Sequence, residues 1–321
     1  IFQRLIAPDE RHKLGQYFTP ANVVDLINAF CIRNSDVKVL DPGCGAGTFL
    51  VRAYRRLKYL NPDKSHDELL DVLWGIDIAR YPAHLAVLNL AVRDLSPDGN
   101  YPNIIHEDFF NVFAEKTVHP HRRRTYAAVG RASQEFKRPV PLVDAVVGNP
   151  PYTRQEEMED LFPGLKERAH DALYHDWKIE ISKRASIYAH FFIHGAAFLK
   201  EGGYLGLLTS NSWLDVDYGK HLQEFFLNNF KIVAILEPKL ERWFPDAAVN
   251  TDITILQRCS DSVQDPEIAG SGKEERDANL VKFVQIKVPL AQLIPQTASQ
   301  RDPEGDEEAR QKALDSLVQE I

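Results

Sequence analysis

Short apolar runs alternate along the chain with longer stretches of mixed polarity. The runs read VKVLD (37–41), LWGIDI (73–78), NIIHED (103–108), VDAVVG (143–148), YLGLLTS (204–210), KIVAILE (231–237) and TDITILQR (251–258). Each has the length and content of a buried strand. Amphipathic stretches at 47–60, 81–94, 186–200 and 216–229 separate several of them and predict helices. Alternation of this kind predicts an α/β fold, a mainly parallel seven-stranded sheet with helices on both faces. In such sheets ligands bind beyond the carboxyl ends of the strands, near the point where strand order reverses. That rule lines up Asp41, Asp77, Asp108 and Asn149, each at the end of a predicted strand, along one rim.

Three segments break the alternation. Residues 111–141 hold HPHRRR (119–124), Arg131, Lys137 and Arg138 and read as a basic, loop-like insertion. Residues 153–185 are charged and mixed, and residues 260–278 are polar and glycine-bearing, as a linker would be. Beyond them 279–288 reads as one more strand, and an acidic run at 301–310 leads into a short final helix. These breaks predict a catalytic domain over 1–260, then a linker and the start of a C-terminal extension over 261–321.

Composition narrows the class. A chain of 321 residues, 44% of them hydrophobic, has material for a sizeable core. No apolar stretch is long enough to span a bilayer, and no charged-then-apolar leader opens the chain. Cys31, Cys44 and Cys259 are far apart and odd in number, which suits neither zinc nor a disulfide framework. We therefore expect no metal, and a reducing cytoplasm. A formal charge of −8 argues against wholesale coating of nucleic acid but leaves room for local basic patches. Arg122, Arg123, Arg124 and Arg131 are the candidates for phosphate contact, with a solvated loop as the equal alternative. Because the chain begins with Ile1 rather than Met, it is expected to be a fragment of a longer protein.

The run VLDPGCGAGTFLV (39–51) is strand, glycine turn, helix. Gly43, Gly45 and Gly47 let the backbone turn tightly and let a ligand approach the helix's amino end, although a plain tight turn uses the same residues. Asp41 at the turn would repel a phosphate and suits an ammonium group. No Gly-Lys-Ser/Thr follows, so this is not a P-loop. Asp77, with Ile78 beside it, ends the next strand, where a carboxylate can accept both hydroxyls of a ribose. Asp108 can accept from an adenine amino group while Phe109 covers the base. For Asp77 and Asp108 taken singly, a solvated strand end is nearly as good a description.

DAVVGNPPY (144–152) carries the chemistry. If the ligand is S-adenosylmethionine and the acceptor an exocyclic amine on a ring, that nitrogen is a poor nucleophile because its lone pair is delocalised. The Asn149 side-chain oxygen and the Pro150 carbonyl can each accept one of its hydrogens and free the lone pair for in-line attack. Proline fixes φ and leaves its carbonyl free, and Tyr152 offers a ring on which a flipped base can stack.

Asn-Pro-Pro-Tyr after an apolar strand, downstream of DPGCGAGTF, resembles the N6-adenine DNA methyltransferases of the gamma class. GQYFTP (15–20) is similar to the segment that closes over the cofactor in that class. IYAHFFIHGAAFLKEGGYLGLLTSNSWL (187–214) and FPDAAVNTDITIL (244–256) resemble its later elements. The closest likeness is to modification domains of type IIG-like restriction–modification and phage-defence proteins, over about residues 13–258. The resemblance implies a Rossmann-like class I S-adenosylmethionine-dependent methyltransferase that acts on double-stranded DNA by base flipping. It assigns Tyr17, Thr19 and Pro20 to the cofactor, the last two along its methionine part. Asp41, Gly43 and Gly45 would hold the amino acid moiety, Asp77 and Ile78 the ribose, and Asp108 with Phe109 the adenine. Asn149, Pro150, Pro151 and Tyr152 match the catalytic motif, Asn149 also bordering the cofactor. Phe244 falls where a second aromatic packs on the flipped base, with its neighbour Trp243 ranked lower.

The long 111–141 insertion departs from compact family members, and a target-recognition region would lie mostly elsewhere in the parent protein. Methyl transfer to RNA or to a protein glutamine uses the same motif on the same fold and stays open. So does a non-catalytic, cofactor-gated DNA-binding module. Cytosine-N4 methylation fits less well, because it more often goes with Ser in place of Asn149. Cys44 lies in the cofactor turn and reads as a small buried thiol; His106 and His190 read as structural.

Overall fold

Strand content appears where the apolar runs predict it. The computed structural model describes residues 19–95, 101–115, 124–129, 137–152, 159–160, 162–182, 185–216, 219–244, 250–259, 278–296 and 303–321. Its strands are β1 (Val39–Asp41), β2 (Leu73–Asp77), β3 (Asn103–His106), β4 (Tyr126–Ala127), β5 (Lys137–Arg138), β6 (Val143–Gly148), β7 (Leu199–Ser210), β8 (Phe230–Pro238), β9 (Thr251–Arg258) and β10 (Lys282–Ile286). Eight of them form one sheet in the order β10-β8-β9-β7-β6-β1-β2-β3. The expected seven-stranded sheet is therefore corrected to eight, because β10 adds in parallel to the outer edge of β8. Only β9 runs antiparallel to its neighbours, β7 and β8. Strand order reverses between β1 and β6, which pair in parallel, so Asp41 and Asn149 leave adjacent strand ends.

Helices cover both faces. One core cluster unites α1 (Ala21–Cys31), α2 (Thr48–Leu60), α3 (His66–Asp71) and α4 (Arg80–Ala91) with one face of the sheet. The other unites α5 (Leu165–Trp177), α6 (Ile187–Ala196) and α7 (Gly219–Asn229) with the opposite face. Helix α1 escapes a periodicity search because ANVVDLINAFC is apolar nearly all round, and nine of its residues are buried. Helix α5 escapes it because LKERAHDALYHDW is charged, yet Leu165, Ala169, Ala172, Leu173, Asp176 and Trp177 turn inward. Among the described residues no helix is long and apolar enough to cross a membrane.

The end of the chain folds back onto the sheet. After β10 come α8 (Leu290–Leu293) and α9 (Pro303–Glu320), and α9 lies against α1 and α2. Buried Arg310 donates to Asp25 Oδ2, Asn22 Oδ1 and the Pro295 carbonyl, and Arg56 donates to Gln311 and Asp315. Asp25 also receives Arg52. The sequence reads as an extension there because buried Arg310, and Gln311 and Asp315 after it, find side-chain partners more than 250 residues away.

The basic insertion covers an edge. β4 and β5 form a small antiparallel ribbon, and Ala128 bridges Ile105 beside β3. The Val129 amide donates to the Ile104 carbonyl, and the Tyr126 hydroxyl donates to the Asn111 carbonyl. Covering the outer edge of β3 removes a template for strand addition. Arg124 is exposed and Arg138 pairs with Asp71; Arg122, Arg123 and Arg131 lie outside the described residues.

Candidate functional site

Each candidate carboxylate sits where a strand gives way to a turn. Asp41 closes β1, is 1% exposed, and its Oδ1 accepts the Gly43 amide at 3.2 Å. Burial, with the nearby Asp77 charge adding to it, pushes its carboxyl up to about 8. Asp77 closes β2; its oxygens accept the amides of Gly45 and Ala79, both at 2.8 Å. Burial raises its carboxyl too, against the pull of those two amides. Neither has an ion-pair partner among the described residues. Ile78 follows directly, partly buried, and its carbonyl faces His106 Nε2 at 3.1 Å.

The glycine turn is shaped by close approach. Gly45 sits at φ +52, and Gly47 at φ +83 opens α2, where a side chain would strike Ala86 at 3.1 Å. Gly148, at the end of β6, lies so near that an added Cβ would stand 2.9 Å from Asp41 Oδ1. Gly148→Ala is therefore expected to displace that carboxylate and to destabilise the protein by about 1–3 kcal/mol, the usual result of overpacking. Urea denaturation measures the loss. Cys44, in the same turn, is buried, and burial with both carboxylates raises its thiol well above the usual range.

Asn149 begins the loop beyond β6. Its Nδ2 donates to Thr19 Oγ1 at 2.9 Å, across 130 residues, while its Oδ1 is buried without a hydrogen-bond partner among the described residues. Thr19 is itself buried and precedes Pro20, the N-cap of α1. Tyr17 lies outside the described residues. Pro150 and Pro151 lead to Tyr152, whose hydroxyl donates to the Leu208 carbonyl at 3.1 Å. The rings of Tyr152 and Phe244 meet edge-on, centroids 5.9 Å apart, and Trp243 is buried beside them.

Asp108 and Phe109 come out differently from each other. Asp108 caps a 3-10 turn (Phe109–Asn111): its Oδ1 accepts the Phe110 amide at 3.0 Å and its Oδ2 accepts Arg168 Nε at 2.6 Å. The Phe109 ring is packed among Phe110, Phe191, His194 and Phe198. His190 is fully buried, and burial pushes its imidazole down to about 3.

Sequence reading passed over Asp252. This carboxylate on β9 is wholly buried and accepts Thr209 Oγ1, Trp213 Nε1 and Thr254 Oγ1 at 3.0, 3.1 and 2.9 Å. Thr209 follows Leu208, so the network braces the stretch of β7 that receives Tyr152. An acidic residue inside TDITIL was the available signal. Burial pushes Asp252 up to about 6 against the three donors. A carboxyl raised on folding contributes stability that is complete below its ordinary 3.8 and lost as pH rises through about 6. Asp252→Ala is expected to cost about 2–4 kcal/mol at pH 5 and less at pH 8, measured by urea denaturation at both.

The fold, a mainly parallel sheet with one antiparallel strand and helices on both faces, matches class I S-adenosylmethionine-dependent methyltransferases. A Listeria monocytogenes protein assigned to that class superposes with a TM-score of 0.56 at 18% identity, over 92% of this chain and 72% of that one. The chain belongs to the Eco57I restriction-modification methylase family, whose sequence model matches residues 71–244, more than half of it. It is 28% identical over 243 residues to the type II methyltransferase M.BstVI of Geobacillus stearothermophilus, covering 70% of this chain and 38% of that protein. It is also similar in fold to DrdV, solved in complex with DNA, with a TM-score of 0.58 at 19% identity over 89% of this chain and 29% of that one. The chain spans well under half the length of the curated relatives it matches.

Proposed function

We propose that the protein transfers a methyl group from S-adenosylmethionine to the N6 amino group of adenine in a specific double-stranded DNA sequence. It would do so as the modification part of a larger restriction–modification or phage-defence protein. The observation that carries this is the Asn149 amide. Its Nδ2 is spent on Thr19, which turns a buried, unpartnered acceptor toward whatever fills the site. A buried acceptor without a donor costs about 1–3 kcal/mol, so such a group suits a ligand that brings an N–H.

An exocyclic adenine amine brings two. Asn149 Oδ1 takes one and the Pro150 carbonyl the other, so the nitrogen's lone pair leaves the ring and points at the methyl donor. These two fixed oxygen dipoles would stabilise the positive charge that grows on nitrogen as its bond to the methyl forms and the methyl–sulfur bond breaks, its electron pair staying on sulfur, and the surplus proton would leave to water. Tyr152 offers its face to a base swung out of the duplex, held in place by its bond to Leu208 and its edge contact with Phe244.

The residues present fit S-adenosylmethionine. Asp41 is a buried carboxylate with no ion-pair partner among the described residues, a partner for an α-ammonium group, and a phosphate would be repelled there. Asp77 keeps lone pairs free for ribose hydroxyls after accepting two amides. When bound, this cofactor supplies an electrophilic methyl on a sulfonium. Membership of the family, and a DNA complex solved for a protein of the same fold, support DNA as the acceptor.

The test is to offer DNA, RNA and a release-factor protein to the full-length parent with methyl-labelled cofactor. Digested nucleosides are then examined by mass spectrometry. Label in N6-methyladenine of duplex DNA is the expected result; label confined to protein or RNA sinks the proposal.

A further inference from the structure

We propose that Arg168 is a positioning residue for cofactor recognition: it fixes the Asp108 carboxylate so that it accepts the amino group of adenine and rejects an oxygen there. This rests on the cofactor reading above.

Asp108 is nearly sealed, its side chain 7% exposed, and Arg168 Nε reaches its Oδ2 from a helix 60 residues later in the chain. With Oδ1 held by the Phe110 amide, both oxygens of the carboxylate are pinned. Each still has a lone pair to offer an N–H donor.

The start of α5 is arranged around this arginine. Its Nη1 donates to the Pro163 carbonyl at 2.9 Å, which bends the side chain back over its own helix start. Gly164 sits at φ +77, and a side chain there would come within 3.0 Å of Arg168 Nη1. The Glu159 carboxylate accepts the amides of Gly164 and Lys166, closing the turn that delivers the helix.

The same helix grips the Asp108 turn a second time. Asp176, near its other end, accepts His194 Nδ1, and His194 Nε2 points at the Phe109 and Val112 carbonyls at 3.1 and 3.0 Å. One helix thus holds the turn's carboxylate through Arg168 and, through His194, its backbone. A turn used only for packing needs the second grip; the first acts on the carboxylate alone.

A carboxylate fixed in this way is a test for an amine. Adenine presents N–H to it, whereas hypoxanthine presents a carbonyl oxygen, acceptor against acceptor. A carboxylate freed from Arg168 can rotate away and loses the distinction.

Calorimetry of the purified protein with S-adenosylhomocysteine and with S-inosylhomocysteine reads this directly. Wild type is expected to prefer the adenosyl ligand by roughly tenfold or more. In Arg168→Met that preference collapses, through weaker adenosyl binding with inosyl binding unchanged. Arg168→Lys, which keeps the charge without the two-point grip, restores part of it and serves should the Met variant melt early. Equal losses on both ligands, or an undiminished preference in the variants, overturn the inference and leave the cofactor reading standing. Wild-type protein that binds neither ligand overturns both.

Discussion

Asn149→Ala is expected to lower the rate of methyl transfer by roughly 10²–10³-fold or more, with cofactor affinity changed by no more than about twofold. The acceptor that the amine needs is gone, so its lone pair stays in the ring, and one of the two dipoles facing the developing charge is lost. Among the described residues the hydrogen bonds of Asp41 and Asp77 go to the Gly43, Gly45 and Ala79 amides and not to Asn149, so the grip proposed for the cofactor's ammonium and ribose is kept. Asn149→Asp is expected to fall between the two. It keeps an acceptor, but the Thr19 hydroxyl must turn round to donate, and a fourth carboxylate enters a rim that already holds Asp41, Asp77 and Asp108. Single-turnover transfer to duplex DNA, alongside calorimetry of the cofactor, separates the two quantities. Parallel loss of both would place Asn149 in cofactor binding rather than in the transfer step.

Cofactor affinity is expected to rise with pH toward about 8, by as much as tenfold per unit while the ligand's amine stays charged. In the ligand-free protein burial holds the Asp41 carboxyl at about 8, so at pH 6 to 7 it is mostly protonated. An ammonium group binds the ionised form, pulls that value down, and expels the proton. Calorimetry in two buffers of different ionisation enthalpy should show close to one proton released well below pH 8. The ligand-free protein behaves in the opposite sense. Its Asp41 is raised from an ordinary 3.8, so its contribution to stability is complete below that value and lost as pH climbs through about 8. Cofactor should therefore raise the melting temperature most at the alkaline end of this range. Asp41→Asn is expected to flatten the pH dependence and to weaken binding by roughly 30-fold or more, since an amide cannot balance a buried ammonium.

Arg168 had no signal in the sequence: LKERAHD is an ordinary charged helix until Gly164 and Pro163 turn its arginine back toward Asp108. Asp252 had one, a carboxylate in an otherwise apolar strand, but its three donors lie on β7, the turn after it, and β9 itself. The C-terminal helix was misleading for the same reason. Arg310 and Gln311 look solvated in one dimension and are buried in three, because Asp25 and Arg56 wait at the other end of the chain.

What the sequence determined by itself was the local code. Strand–glycine turn–helix, carboxylates at strand ends, and a proline-stiffened Asn-Pro-Pro-Tyr are all set by backbone sterics and short continuous apolar runs within a few residues. The tertiary structure alone decided which atoms of these motifs stay free. Among the described residues Asn149 Nδ2 is claimed by Thr19 and its Oδ1 is not; Asp108 is claimed by Arg168, while the hydrogen bonds of Asp41 and Asp77 come from backbone amides. Hydrogen bonds are directional and reach about 3 Å, so their pairing across 60 or 130 residues depends on how helices settle on the two faces of the sheet. No pattern along the chain carries that information.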